Sequence, residues 1–239
     1  MAETKPVLAL RGLRKTYGEL VALDRLDLEV GRGECVALIG HNGSGKTTTL
    51  RLAAGLLEPT EGSATAVGVD VHHPDDAGQA RAALSFVPDS PLLYGDLTVR
   101  EHLELIGLAH GVGSVDLDEQ IAILLDLLDL ADRAEFLPGQ LSRGMRQKTQ
   151  LACALLRPFQ VLMLDEPVVG LDPPSQHALG ELLVEAKKAG AAILLSTHQL
   201  AFSSALADRA VVLHEGAVVA AGDYRSVVEG DEAGRLGLR

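Results

Sequence analysis

The sequence predicts an α/β fold on a mainly parallel sheet, with an amino-terminal antiparallel β subdomain and an inserted α-helical subdomain. Three patterns predict it. Residues 34–39, 161–165 and 191–196 read as buried strands, and the last two flank a helical stretch at residues 175–188. Strand, helix, strand at that spacing pairs in parallel through a right-handed crossover. Residues 7–13 and 22–30 instead alternate apolar and polar side chains, as half-exposed antiparallel strands do. Residues 89–156 change to helical periodicity with short polar interruptions.

At 239 residues and 47% hydrophobic, the chain can bury the core of one α/β domain with a subdomain, and two full domains would be a squeeze. The expected division is a single domain, 1–239. Its core is 1–88 and 157–223, its helical insert 89–156 and its carboxyl tail 224–239. In chain order, strand 34–39 leads into a glycine-rich loop and a helix over 48–57. Residues 63–69 return as a strand broken by Gly68, and 83–87 form another, ended by Pro88. Within the insert, Thr98 with Glu101 three residues on forms a capping box, and helices are expected over 118–130 and 146–156. Residues 209–214 and 217–221, joined through Glu215 and Gly216, read as a closing hairpin, and the tail is expected to be partly helical.

The chemistry starts in the glycine-rich loop, Gly40-His41-Asn42-Gly43-Ser44-Gly45-Lys46-Thr47-Thr48. Glycines there admit dihedrals closed to other residues, so successive N–H groups can turn toward one anion. Lys46 adds a mobile charge for β- and γ-phosphates, the Thr47 hydroxyl is placed for Mg²⁺, and the following helix presents its positive end. Strand, loop, helix is the context this motif requires, and the fold is therefore read as a P-loop NTPase core. Asp165 and Glu166 sit at the carboxyl end of a buried strand, where open α/β sheets place their ligand crevice. An aspartate there suits Mg²⁺, and the glutamate suits the attacking water. Ser142 and Gly144 before a helix form a weaker second anion site. His198 follows strand 191–196 and would emerge on the same sheet edge.

A net charge of −12 disfavours nucleic-acid binding, because the phosphate backbone requires lysine and arginine, and 3% aromatic residues give no base-stacking platform. The two cysteines, Cys35 and Cys153, fall in a predicted core strand and helix and suit a reducing compartment. No signal-peptide pattern opens the chain and no apolar run reaches a membrane span. A soluble, cytoplasmic protein is expected, tied to a membrane only through a partner.

In order and spacing these motifs resemble the nucleotide-binding domain of an ATP-binding cassette (ABC) transporter over nearly the whole chain. Tyr17 matches the aromatic A-loop that stacks on adenine, residues 40–47 the Walker A loop, and residues 161–166 Walker B. Residues 141–145 match the signature, usually Leu-Ser-Gly-Gly-Gln, residues 170–172 the D-loop, and His198 the switch histidine. The resemblance implies ATP and Mg²⁺ as ligands and a head-to-tail dimer with a second copy or a related ATPase subunit. Each ATP then lies between Walker A of one chain and the signature (Ser142, Arg143, Gly144) of the other, with Asp172 across the interface. Lys46 neutralises phosphate, Glu166 polarises water and His198 senses the γ-phosphate.

Two departures stand out. Arg143 and Met145 replace the usual glycine and glutamine of the signature, and Pro88-Asp89 stands where the family usually carries glutamine. Asp89 offers a carboxylate to Mg²⁺ beside Thr47 and Asp165, or simply opens the turn Asp89-Ser90-Pro91. The signature variant resembles ATPases paired with small permeases of the ABC-2 type, and the lack of a domain after Arg239 disfavours importers with a regulatory tail. Export through a separate transmembrane permease is favoured. The alternatives are a soluble ABC ATPase of a non-transport complex, such as iron–sulfur cluster assembly, and a P-loop kinase, against which the signature and His198 argue.

Overall fold

The computed structural model describes residues 5–75 and 77–229. Strands β1 (Leu8–Tyr17) and β2 (Leu20–Val30) form a hairpin closed at Gly18 and Glu19, longer than the alternating segments alone foretell. The chain then enters β3 (Cys35–Ile39), all five of whose residues are buried, and helix α1 (Lys46–Ala53). β4 (Glu61–Ala66) returns to pair antiparallel with β1. Val67 and Gly68 turn it into β5 (Val69–Asp70) through two left-handed residues. These strands make a four-stranded sheet in the order β2-β1-β4-β5.

A short helix α2 (Ala77–Ala82), invisible to periodicity at six residues, precedes β6 (Leu84–Val87). Then come α3 (Val99–Ala109), α4 (Ser114–Leu127) and α5 (Arg143–Leu156). The Thr98 capping box is formed in both directions. Some helices differ in their bounds from the sequence reading. α1 starts two residues before Thr48 and ends at Ala53, because Gly55 at φ 69° turns the chain away. α4 starts four residues before Asp118 and stops before Leu130. α5 begins at Arg143 because the Ser142 hydroxyl accepts from Met145 N and so nucleates the first turn there.

The remaining elements are β7 (Val161–Asp165), α6 (Pro173–Lys188), β8 (Ala192–Ser196), α7 (Leu200–Ser204), β9 (Arg209–His214), β10 (Ala217–Asp223) and α8 (Tyr224–Glu229). The tail expected over 224–239 thus begins as a helix, and residues 230–239 lie outside the described residues. The second sheet runs β10-β9-β3-β8-β7-β6, every neighbouring pair parallel except β10 with β9.

Alternation along the parallel strands feeds opposite faces of this sheet. Val36, Leu38, Met163 and Leu194 pack with Leu50 and Leu52 of α1 and with Leu8, Leu10 and Leu26 of the antiparallel sheet. Leu162, Leu164, Ile193 and Leu195 pack with Leu103, Leu151 and Leu179 from α3, α5 and α6. Each such leucine, withdrawn from water, stabilises the fold by about 1.5–3 kcal/mol. Cys35 and Cys153 are free and buried, and burial pushes both thiols up to about 12. They serve as small core hydrophobes. The consequence for function is positional: β3, β7 and β8 are adjacent and end together, so the segments that follow them meet at one edge.

Candidate active site

The loop after β3 is fixed by close backbone approach. A Cβ on Gly40 would lie 2.4 Å from both the Leu213 carbonyl oxygen and Ser44 Oγ, and one on Gly45 would lie 2.8 Å from the Ala22 carbonyl. Gly45 also holds a φ of 107°, and as the residue before α1 it offers no side chain to cap the helix. The first N–H groups of α1 are therefore left for a ligand. The β9–β10 turn straps the loop in place, Gly216 N donating to Ser44 O at 3.1 Å while Asp24 N donates to Gly216 O at 2.8 Å.

Lys46 is 6% exposed and donates to the carbonyls of Gly40 (2.7 Å) and His41 (3.2 Å), with Glu166 Oε1 3.8 Å away. At the end of β7, Asp165 is buried, and its Oδ1 accepts from Ser196 Oγ at 2.5 Å. Burial pushes the Asp165 carboxyl above its ordinary range. Hydrogen bonds from Ser196 and Thr47 pull it back, and the negative charges of Asp89 and Glu166 push it further up. Asp165 thus lies against Thr47, as the motifs foretell.

Glu166 adopts φ 48°, a left-handed conformation that costs a residue with a Cβ roughly 1–2 kcal/mol. Its N–H donates to Ser196 O at 3.0 Å, which holds the turn. Its Oε2 accepts from His198 Nδ1 at 2.9 Å. Two buried carboxylate oxygens, Asp165 Oδ2 and Glu166 Oε1, have no hydrogen-bond partner.

A cavity of about 680 Å³ opens over these groups, lined by Asn42 to Thr48, Asp89 and Glu166 and, on its far wall, by Leu20, Val21, Ala22 and Glu215. His41 is exposed at the loop's start. Tyr17 is not part of this wall. It stands 51% exposed at the β1–β2 hairpin with Lys15 Nζ 5.2 Å over its ring. Ser142, Arg143 and Gly144 lie at the start of α5, away from this cavity, and Ser142 shares a separate cleft of about 590 Å³ with Asp172 and Lys148. Asp172 Oδ1 caps α6 by accepting from Ser175 N at 2.9 Å. A larger groove of about 790 Å³, between α6 and α7, contains none of the loop residues or strand-end acids.

A cavity lined by the phosphate loop, Lys46 and Glu166, with Asp165 buried against Thr47 of that lining, is a site for a triphosphate and its hydrolysis. The family model described as ABC transporter matches residues 23–169. The chain belongs to the ABC transporter family. It is similar to the Nod factor export ATP-binding protein I of Cupriavidus metallidurans, with 37% identity over 225 residues, 94% of this chain and 74% of that one. It is also similar to the solved ATP binding subunit of an ABC transporter, at 36% identity and a TM-score of 0.89, covering 97% of this chain and 98% of the other. A dimeric bacterial ABC transporter cassette matches at 26% identity and a TM-score of 0.83, over 91% and 99% of the two chains.

As an ABC ATP-binding subunit the chain binds ATP and hydrolyses it. Among the described residues no helix is long and apolar enough to cross a membrane. Three contributors are not legible in the sequence motifs, Ser196, Glu215 and the segment Leu20–Ala22, and neither is the contact of Lys148 with Asp172 outside this cavity. The signal for Ser196 was a hydroxyl ending a run of buried aliphatics. For Lys148 it was a cation on the buried side of an amphipathic helix.

Proposed function

We propose that this ABC subunit works as a head-to-tail dimer, with a second copy or a related ATPase subunit, and drives export through a separate transmembrane permease on the cytoplasmic face of a membrane. One observation carries the ATPase part of this reading: the uncapped start of α1, Lys46 and two strand-end acids line or border one cavity. Residues 1–88 and 157–223 form the nucleotide-binding core, residues 89–156 face the permease, and residues 224–239 are the tail. The export name of the curated relative supports the direction, and the dimeric cassette supports the pairing.

The triphosphate lies in the loop 40–48, where the N–H groups at the start of α1 and the ammonium of Lys46 take its β- and γ-oxygens. Lys46 exchanges its two carbonyl partners for these. Tyr17 stacks on the adenine from the hairpin. Glu166 accepts the proton of the water that attacks the γ-phosphorus, and the bond to the leaving ADP oxygen breaks. His198, already bonded to Glu166, reports whether the γ-phosphate is in place. Ser142, Arg143 and Gly144 close the nucleotide of the other chain, with Asp172 beside them.

The residues present fit Mg²⁺, since Asp165 keeps a buried oxygen without a partner and Thr47 lies against the same carboxyl. Thr47, Asp165 and Asp89 are the residues that would hold it. Mg²⁺ bound there supplies neutralisation of charge on the phosphate oxygens.

Glu166→Gln tests the reading. It retains ATP binding by calorimetry, loses about 10²–10⁴-fold in turnover, the scale of a general base, and accumulates an ATP-bound dimer in light scattering. Normal turnover with only monomer present overturns it.

A further inference from the structure

The first two turns of α5 lie against residues 167–172 through three positions of one helix face, 144, 147 and 148. A Cβ on Gly144 would meet the Gly170 carbonyl oxygen at 2.5 Å. Gln147, buried, donates from Nε2 to Pro167 O at 3.4 Å. Lys148, its side chain 5% exposed, places Nζ 3.5 Å from Asp172 Oδ2 and 3.6 Å from Asp129 Oδ2. Asp172 spends its other oxygen on the cap of α6, and Asp129 follows the end of α4 at φ 54°. One buried cation therefore ties together the end of α4, the body of α5 and the cap of α6.

A buried ammonium is a costly way to fill space, because its desolvation must be offset by its partners, and an apolar side chain of similar length would pack without that cost. What the charge adds is geometry: it holds two carboxylates that an apolar group would release. Lys148 lines the cleft that also holds Ser142 and does not line the phosphate-loop cavity.

We propose that Lys148 is a positioning residue that fixes Ser142–Gly144 and the loop 170–172 in one register, so that both are presented together to the nucleotide held by the second chain. The inference rests on the dimer reading above. Ser142 is six residues upstream, roughly 9 Å along the helix axis, so Lys148 acts through placement and not through contact with nucleotide.

The test uses Lys148→Met, which keeps the aliphatic stem. ATP affinity of the monomer, read by calorimetry, stays within about twofold, kcat falls at least tenfold on the same scale as other positioning losses, and Lys148→Arg recovers most of the turnover. In the Glu166→Gln background, Lys148→Met raises the ATP concentration needed for the dimer at least tenfold. Asp129→Asn guards against a folding defect: the side chain is 94% exposed, and asparagine tolerates the left-handed backbone. It lowers kcat in the same direction with an unchanged melting temperature. Wild-type turnover in Lys148→Met and Asp129→Asn, with an undiminished dimer in Glu166→Gln/Lys148→Met, overturns the inference and leaves the dimer reading standing. A Glu166→Gln protein that stays monomeric with ATP overturns the dimer reading first, and this inference with it.

Discussion

Two helix starts, those of α1 and α5, look alike in sequence, each a small-residue turn ahead of an amphipathic run, and the structure treats them oppositely. α1 follows Gly45, which has no side chain to cap it, and Lys46 is buried at its first position among the groups a phosphate would touch. α5 follows Ser142, whose hydroxyl already accepts from Met145 N at 3.2 Å, and its nearest buried cation, Lys148, is engaged by Asp129 and Asp172. Arg143 stands exposed in its first turn, where the positive end of the helix disfavours a cation until an anion arrives. The first start draws its phosphate-facing groups from its own chain. The second is closed on itself and gains most from an anion supplied by another molecule.

Lys46→Ala is the largest break in that comparison. It removes the charge-assisted bonds to phosphate, each worth about 1.5–3 kcal/mol, so ATP affinity by calorimetry falls at least tenfold. An unchanged affinity would mean the α1 start is not the phosphate site. Ser142→Ala sharpens the contrast with a smaller effect. The lost cap costs about 1 kcal/mol of stability, a shift of about 2–4 °C in melting for a chain of this size, while monomer ATP affinity holds and turnover slows. A fall in monomer affinity like that of Lys46→Ala would place the α5 start in the same nucleotide site, and the distinction between the two helices would collapse.

The contrast also explains what could be read from the sequence. The strand–loop–helix unit around β3 and α1 was legible because it is local: an unbroken apolar run, glycines and a lysine within fourteen residues. Asp165, Glu166 and His198 were legible as strand-end positions, and parallel pairing of β7 with β8 brings them to one edge. The sequence alone places the start of α5 three residues late because Gly144 in its first turn carries little helix propensity, and only the cap on Ser142 reveals the turn. Contacts across long stretches of chain left no local trace. Ser196 on Asp165 spans 31 residues, and Lys148 reaches Asp172 across a stretch of chain that includes the whole of β7. Helices α2 and α7, of six and five residues, are too short to show a period. Tyr17 is legible only through the family resemblance, and the structure sets it at the end of β1, outside the cavity wall.

The smallest effect concerns Asp89, where the chain departs from its family's usual glutamine within the α1 cavity itself. Asp89 is exposed and lines that cavity with Glu166, and its charge helps to raise the Asp165 carboxyl. A carboxylate must be ionised to take a cation, so the raised Asp165 needs a higher pH to do so than an ordinary aspartate. Asp89→Gln removes one negative charge, Asp165 then ionises at lower pH, and the acid limb of the pH–rate profile moves toward acid. The same change takes an oxygen ligand of the kind hard cations prefer from beside Thr47 and Asp165. The Mg²⁺ concentration for half-maximal ATPase therefore rises about two- to fivefold, the scale of one solvent-screened charge, ~0.4–1 kcal/mol. An acid limb that moves while the Mg²⁺ requirement stays fixed makes Asp89 a neighbour of Asp165 and not a ligand, its conformational role being to open the turn at Ser90 and Pro91. If neither moves, the charge of Asp89 is not felt at Asp165, and the α1 cavity is electrostatically simpler than its geometry implies.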